Sequence, residues 1–261
     1  MSADAQGSFE IIPGDPGSTV ILHVPHSSTV IPEDVRRGIV LSDDALNAEL
    51  AAISDADTDV IALGAAELAS LRPWIFVNRA SRLVIDPERF PDEREELNAV
   101  GMGAVYERTT DLEVLRTPSD DERAELIGRF FEPYAEAIAR LVRDRFEAVG
   151  RVTIIDVHSF PVVALPYELH ADGPRPEVCL GTDAFHTDQA LLDAATDTMR
   201  LAAPTGDVDV NTPFAGCYIP LDQYEINARV RGVMLEIRRD VVATRMSELQ
   251  VATASLVDRV G

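Results

Sequence analysis

Apolar and polar positions along the chain alternate between short apolar runs and stretches of helical spacing. Thr19 to Val24 (TVILHV) is a β-rich run stopped by Pro25, and Trp74 to Val77 (WIFV) is a second. Leu83 to Ile85 resumes extended structure before Asp86-Pro87. Val152 to Pro161 (VTIIDVHSFP) opens with consecutive apolar residues, the pattern of a strand covered on both faces in a largely parallel sheet. Glu177 to Leu180, Val208 to Val210 and Gly232 to Ile237 (GVMLEI) complete the predicted strands. Helical spacing runs over Ser42 to Ser70, Ser119 to Val149, His186 to Leu201 and Thr244 to Val260. Ser119 and Glu122 make a capping-box pair, Gly150 is a stop, and Pro133 predicts a kink or a split. Residues 1–18 read as a loose lead-in. Residues 87–117 read as a long polar connection, of the kind that builds lids and binding loops.

This alternation predicts an α/β fold, a three-layer α/β/α sandwich around a mostly parallel mixed sheet, as one domain over residues 1–261. In open sheets of this kind reactive groups gather beyond the carboxyl ends of the strands. His26, Asn78 with Arg79, Asp156 with His158, and Glu236 all fall there. Side chains alternate along a strand, so Asp156 and His158 share one face and Val157 takes the other. His158 is then either a core histidine satisfied by Asp156 or a metal ligand or base. His23, inside its strand, reads as a core or edge residue, and His186 as a surface or capping residue.

Asp55, Asp57 and Asp59 crowd one predicted helix, where Asp55 and Asp59 would share a face. Such density suits a helix start, either as a capping cluster or as the place that presents a carboxylate ligand. Arg79 and Arg82 either grip an anion with the guanidinium fork or neutralise those aspartates. Two histidines and a carboxylate, with one position open, make the ligand set of a catalytic zinc, and a further carboxylate can serve as base.

Charge and composition narrow the chemistry. Hydrophobic residues at 46% can fill a core, so disorder is not the expectation. A net charge of -22 opposes nucleic-acid and anionic-membrane surfaces, which need basic patches. The chain has no lysine, which excludes Schiff-base and P-loop lysine chemistry. Ser27, Ser28 and Ser159 lie in no nucleophile elbow. Cys179 and Cys217 are far apart, and the amino terminus lacks a basic start and an apolar segment. A cytoplasmic protein is the expectation. No run of about 18 apolar residues predicts a membrane span.

Eight segments together resemble the N-formylglutamate amidohydrolase family, from VPHSSTVIP (Val24 to Pro32) and DADTD (Asp55 to Asp59) through SRLVIDPERF (Ser81 to Phe90) and GMGAVYERT (Gly101 to Thr109). DVHSFP (Asp156 to Pro161), LGTDAFHT (Leu180 to Thr187), VNTPFAGCYIP (Val210 to Pro220) and MLEIRRD (Met234 to Asp240) continue the match. The resemblance implies a zinc-carboxypeptidase-like, zinc-exopeptidase-like fold. It also implies metal-dependent hydrolysis of an amide in an N-formyl or N-acyl amino acid, a small anionic substrate with a free carboxylate. It carries His26 and His158 over as zinc ligands and Glu236 as general base. Asn78 and Arg79 match a pair that holds a substrate carboxylate, with Arg82 as the other clamp. Two departures stand out. Thr29 occupies the position of the usual glutamate ligand, so the third ligand is assigned to Asp55, then Asp59. Ala135 follows Tyr134 where many members carry a histidine, which points to a different N-acyl amino acid or a peptide. Iron, cobalt or manganese also suit such ligands. The rivals are a zinc carboxypeptidase or amidase acting on peptides, and a non-catalytic small-acid-binding protein.

Overall fold

The computed structural model describes residues 7–169 and 171–261; the first six residues of the expected lead-in lie outside the described residues. Seven strands form one sheet: β1 (Phe9–Ile12), β2 (Val20–Val24), β3 (Trp74–Asn78), β4 (Val152–Phe160), β5 (Val178–Gly181), β6 (Val208–Val210) and β7 (Val230–Arg238). Their order is β1-β3-β2-β4-β7-β5-β6. The β3-β2-β4-β7 centre is parallel, and β1 on β3 and β5 on β7 are antiparallel, so the sheet is mixed and mostly parallel.

The helices are α1 (Glu33–Arg36), α2 (Asp43–Ile53), α3 (Thr58–Leu68), α4 (Asp120–Leu126), α5 (Glu132–Val149), α6 (Gln189–Ala202), α7 (Arg239–Thr244) and α8 (Met246–Val260). Alternation along the strands divides the core. Val20, Leu22, Ile155, Val157 and Leu235 pack with apolar side chains of α3, α6 and α8 on one face. Ile21, Phe76 and Ile154 pack with Ile138 and Leu141 of α5 on the other. Every residue of β4 is buried, as its apolar run predicts for a strand covered on both sides.

Three sequence expectations change, and a fourth is borne out with its detail. The lead-in contains β1, a short edge strand whose mixed FEII pattern carries little periodic signal. Leu83 to Ile85 is buried but forms a turn, with Val84 N donating to Ser81 O. The Ser42 to Ser70 helix is two helices, broken at Ser54–Asp57, where Asp57 adopts a left-handed conformation (φ 63°). Asp57 and Asp59 do sit at the start of α3, but Asp55 precedes the helix in a loop. The long helix after Ser119 has its capping box, and it divides at a π-helical turn over Ile127–Phe131, with Pro133 in the first turn of α5. A π turn shifts the phase of a helix. Phe130 and Phe131 therefore face one apolar cluster while Tyr134 and Ile138 face the sheet.

His186 is a further correction. It is 1% exposed, its Nδ1 contacts Val230 O at 2.6 Å, and its Nε2 accepts from Glu225 N. It pins a loop to the end of β7 instead of capping α6, whose cap is Asp188. No helix of the described residues is long and apolar enough to cross a membrane.

Candidate metal centre

Three adjacent parallel strands deliver the central groups. Pro25 turns the chain at the end of β2, and His26 follows. The turn is held by Asn78 at the end of β3, whose Nδ2 donates to Pro25 O at 2.9 Å. Asp55 comes in beside it because its backbone N donates to His26 O at 3.0 Å. His158 lies in β4, paired in register with Glu236 of β7. Parallel strands in register bring side chains of the same face side by side. His26, Asp55 and His158 are each at most 3% exposed, and Glu236 is 9% exposed.

The two imidazoles converge on one carboxylate oxygen. Asp55 Oδ2 lies 2.9 Å from His158 Nδ1 and 3.5 Å from His26 Nδ1. One ligand atom from each of the three residues falls within 4.8 Å of the others. The far edge of each ring faces another carboxylate: His26 Nε2 bonds Asp86 Oδ1 at 2.9 Å, and His158 Nε2 lies 3.1 Å from Asp156 Oδ1 and 3.2 Å from Glu88 Oε2. A carboxylate behind each imidazole sets ring orientation and raises ligand basicity, as at protein zinc sites. His26 Nδ1 is buried without a hydrogen bond. A buried nitrogen left unbonded toward a carboxylate and a second imidazole fits a divalent metal ion, with a borderline-soft ion such as zinc suited to the mixed donors.

Charge is tightly compensated. Burial works against ionising Asp55, but hydrogen bonding to His158 and His26 holds its pKa below the ordinary value. Asp86 and Asp156 are likewise held well below it despite burial, the first by His26 and Arg82, the second by His158 and His23. Burial and Arg82 pull the His26 pKa down, yet Asp86 and Asp55 leave it raised. Burial opposes the charge on His158 too, but Asp156 and Glu88 lift it well above its usual value. Glu236 differs from the other carboxylates: burial, aided by the Asp55 charge, pushes it up to about 8. Its Oε2 has no hydrogen bond.

These groups open into a cavity of about 360 Å³ lined by His26, Asp55, His158, Glu236 and the guanidinium-bearing Arg82, Arg89 and Arg239. Arg82 is already engaged, donating to Tyr106 Oη at 3.0 Å, Asp86 Oδ2 at 2.7 Å and Ile53 O at 3.4 Å. Arg89 and Arg239 each keep a buried Nε without a hydrogen bond.

The other predicted residues lie elsewhere. Asp59 is outside the cluster, 3.7 Å from Arg79, because the helix start carries it away from Asp55. Arg79 is a half-exposed side chain bound to Glu10 Oε2 of β1, outside the cavity lining. Asn78 spends its amide on Pro25 O and on Ala80 N, so it shapes the His26 turn. Sequence reasoning missed Asp86, Glu88, Arg89 and Arg239. The break at Asp86-Pro87 and the Arg238-Arg239 pair beside Glu236 were the available signals.

Known proteins share this fold. An N-formylglutamate amidohydrolase structure from Ralstonia eutropha JMP134 matches with a TM-score of 0.78 at 20% identity, over 97% of this chain and 97% of that one. A gene product of Agrobacterium tumefaciens matches with a TM-score of 0.69 at 21% identity, over 97% of this chain and 93% of that one. At these identities the likeness is one of fold. No curated protein sequence matches the chain. The model of the N-formylglutamate amidohydrolase family matches residues 18–243, and the chain belongs to that family.

Proposed function

We propose that the chain hydrolyses the amide bond of an N-formyl or N-acyl amino acid that carries a free carboxylate, with zinc held by His26, Asp55 and His158 and with Glu236 as general base. The observation that carries this reading is the convergence of two imidazoles on Asp55 Oδ2, in a cavity that also holds an unbonded Glu236 oxygen. A divalent cation bound there supplies a Lewis acid that polarises the amide carbonyl and acidifies water.

The remaining steps belong to side chains. Asp86 and Asp156 fix the His26 and His158 rings. Arg239, anchored through its Nη atoms on Ala51 O and Ser54 O, and Arg89, 3.6 Å from Asp86, each keep an unbonded Nε. They grip the substrate carboxylate and set the scissile bond beside Glu236. Arg82 steadies Asp86 and lies 3.7 Å from Asp55. Glu236 Oε2 takes the proton of the attacking water and returns it to the leaving amine. The two cysteines are free, which agrees with the proposed cytoplasmic location.

The test measures metal content by elemental analysis and hydrolysis of N-formylglutamate, other N-acyl amino acids and short peptides, for wild type and Glu236→Gln. The reading expects about one zinc per chain in both proteins and a loss of ~10²-fold or more in turnover for the variant. Peptide-only turnover would favour the peptidase rival. Absence of bound metal after zinc is supplied would favour the binding-protein rival.

A further inference from the structure

The metal centre's cavity has a larger neighbour. A second cavity of about 590 Å³ adjoins it, and Glu88, Arg89, Glu96, Ala215 and Met234 line both. The two floors are neighbouring rungs of one sheet face. His158 stands opposite Glu236 at the first, and Asp156 opposite Met234 at the second. Rungs on the same face are two residues apart, roughly 6.5–7 Å. A chain of about six bonded carbons spans that distance.

The cavities differ in chemistry. The first presents the metal-centre residues with Arg89 and Arg239. The second has an apolar side formed by Phe90, Phe131, Ala135, Ala139, Ile219 and Leu221, and its more exposed lining carries charge at Arg94, Arg143 and Asp222. Ala135 and Ala139 are one turn apart on α5, and their small side chains leave the space open. The loop over 211–218 brings Ala215 to the shared wall. It can do so because a Cβ on Gly181 would meet Gly216 O at 2.2 Å, so only glycine lets the loop lie this close to β5. Met234, unbranched and adaptable, joins Ala215 as the apolar part of a passage that Glu88, Arg89 and Glu96 also line.

A formyl group has a single carbon and would leave this second space unused. We infer that the substrate carries an apolar or aromatic acyl arm larger than formyl, which extends past Met234 and Ala215 into the second cavity while its amino-acid carboxylate stays at Arg89 and Arg239. This rests on the hydrolase reading above for the scissile bond, but the arm's seat rests on the cavity pair itself.

The experiment compares N-formyl, N-acetyl, N-butanoyl, N-hexanoyl and N-benzoyl glutamate with the zinc-loaded wild type, Ala139→Trp and Ala135→Phe, each checked for an unchanged melting temperature. Transfer of each methylene into an apolar site is worth roughly fourfold. kcat/KM should rise at least about tenfold from formyl to hexanoyl or benzoyl. The filled-cavity variants should lose that gain while formyl and acetyl substrates are unaffected. Binding of the same series to Glu236→Gln, read by calorimetry, gives a second readout. A preference for long arms that Ala139→Trp abolishes, without turnover of any substrate by wild type, would sink the hydrolase reading and keep the acyl seat. Best turnover and binding with formyl, falling as the arm lengthens, would overturn the inference.

Discussion

His23 and Asp156 face each other across the β2–β4 pair, with Nδ1 and Oδ1 2.8 Å apart. The same Asp156 oxygen lies 3.1 Å from His158 Nε2, so a core histidine is tied to the carboxylate behind a candidate ligand. The other His23 nitrogen bonds the Tyr134 hydroxyl of α5. One imidazole therefore bonds Asp156 through Nδ1 and the Tyr134 hydroxyl through Nε2. This strut joins α5 to the candidate metal centre.

Breaking the strut should weaken the metal site through Asp156. Tyr134→Phe leaves a buried nitrogen without its partner, at a cost of about 1–3 kcal/mol of stability. His23→Gln should weaken zinc binding by about 10–100-fold, the scale for groups that orient a ligand from behind. Competition with a chromogenic chelator measures it. A lowered melting temperature with zinc affinity within twofold of wild type would make the strut structural only.

Metal uptake should expel protons. In the metal-free protein Glu236, pushed up to about 8, is mostly protonated at pH 7, and His26 and His158 are raised as well. A cation favours the deprotonated form of each. Calorimetric titration with zinc in buffers of different ionisation enthalpy should show net proton release. Glu236→Gln should release up to about one proton fewer, and equal release from the two proteins would reject the assigned ionisation.

Asp86 sets the acid limit. Its folded pKa lies well below the ordinary carboxylate value, so the folded state binds its proton less readily than the unfolded chain does. The stability it contributes is fully present above about pH 4 and is lost as pH falls from there toward the folded pKa. Asp86→Asn leaves buried Arg82 without its closest anion and should cost about 3–5 kcal/mol at neutral pH. Its denaturation curves should also depend less on pH below 4. Wild-type-like urea midpoints at pH 7 would contradict this.

Arg79 and Arg239 should separate cleanly. Arg79 pairs with exposed Glu10 at the sheet edge, so Arg79→Ala should leave kcat/KM nearly unchanged. Arg239 lines the cavity with its Nε unbonded, so Arg239→Ala should raise KM about tenfold or more. Steady-state kinetics of the two variants on one anionic substrate decide it, and the reverse pattern would restore Arg79 as the clamp.

Much of the fold was legible because it depends on local period. The β4 run, the capping box at Ser119 and the Gly150 stop each carry a short-range physical signature. His26, His158 and Glu236 could be placed near one another because each follows or ends a strand of the same parallel sheet. The choice between Asp55 and Asp59 could not, since it turns on a helix break marked only by a left-handed aspartate. Asp86, Glu88 and Arg89 stand on a turn beyond the apolar run 83–85, and their arrival at the centre depends on long-range packing. The second cavity takes its lining from segments far apart in the sequence, 87–96, 131–143 and 215–224, which no periodic pattern brings together.

The sheet order also sets how the molecule comes apart. β2, β4 and β7 are flanked by β1 and β3 on one side and by β5 and β6 on the other, so both borders can fray before a strand that bears the central groups is exposed. Amides of β4 and β7 should therefore be among the slowest to exchange with deuterium, opening only with the whole chain. Partial melting at the borders would spare the chemistry. Loss of the β4–β7 registry would remove it in one step, because a slip of one residue turns His158 and Glu236 toward opposite sides of the sheet.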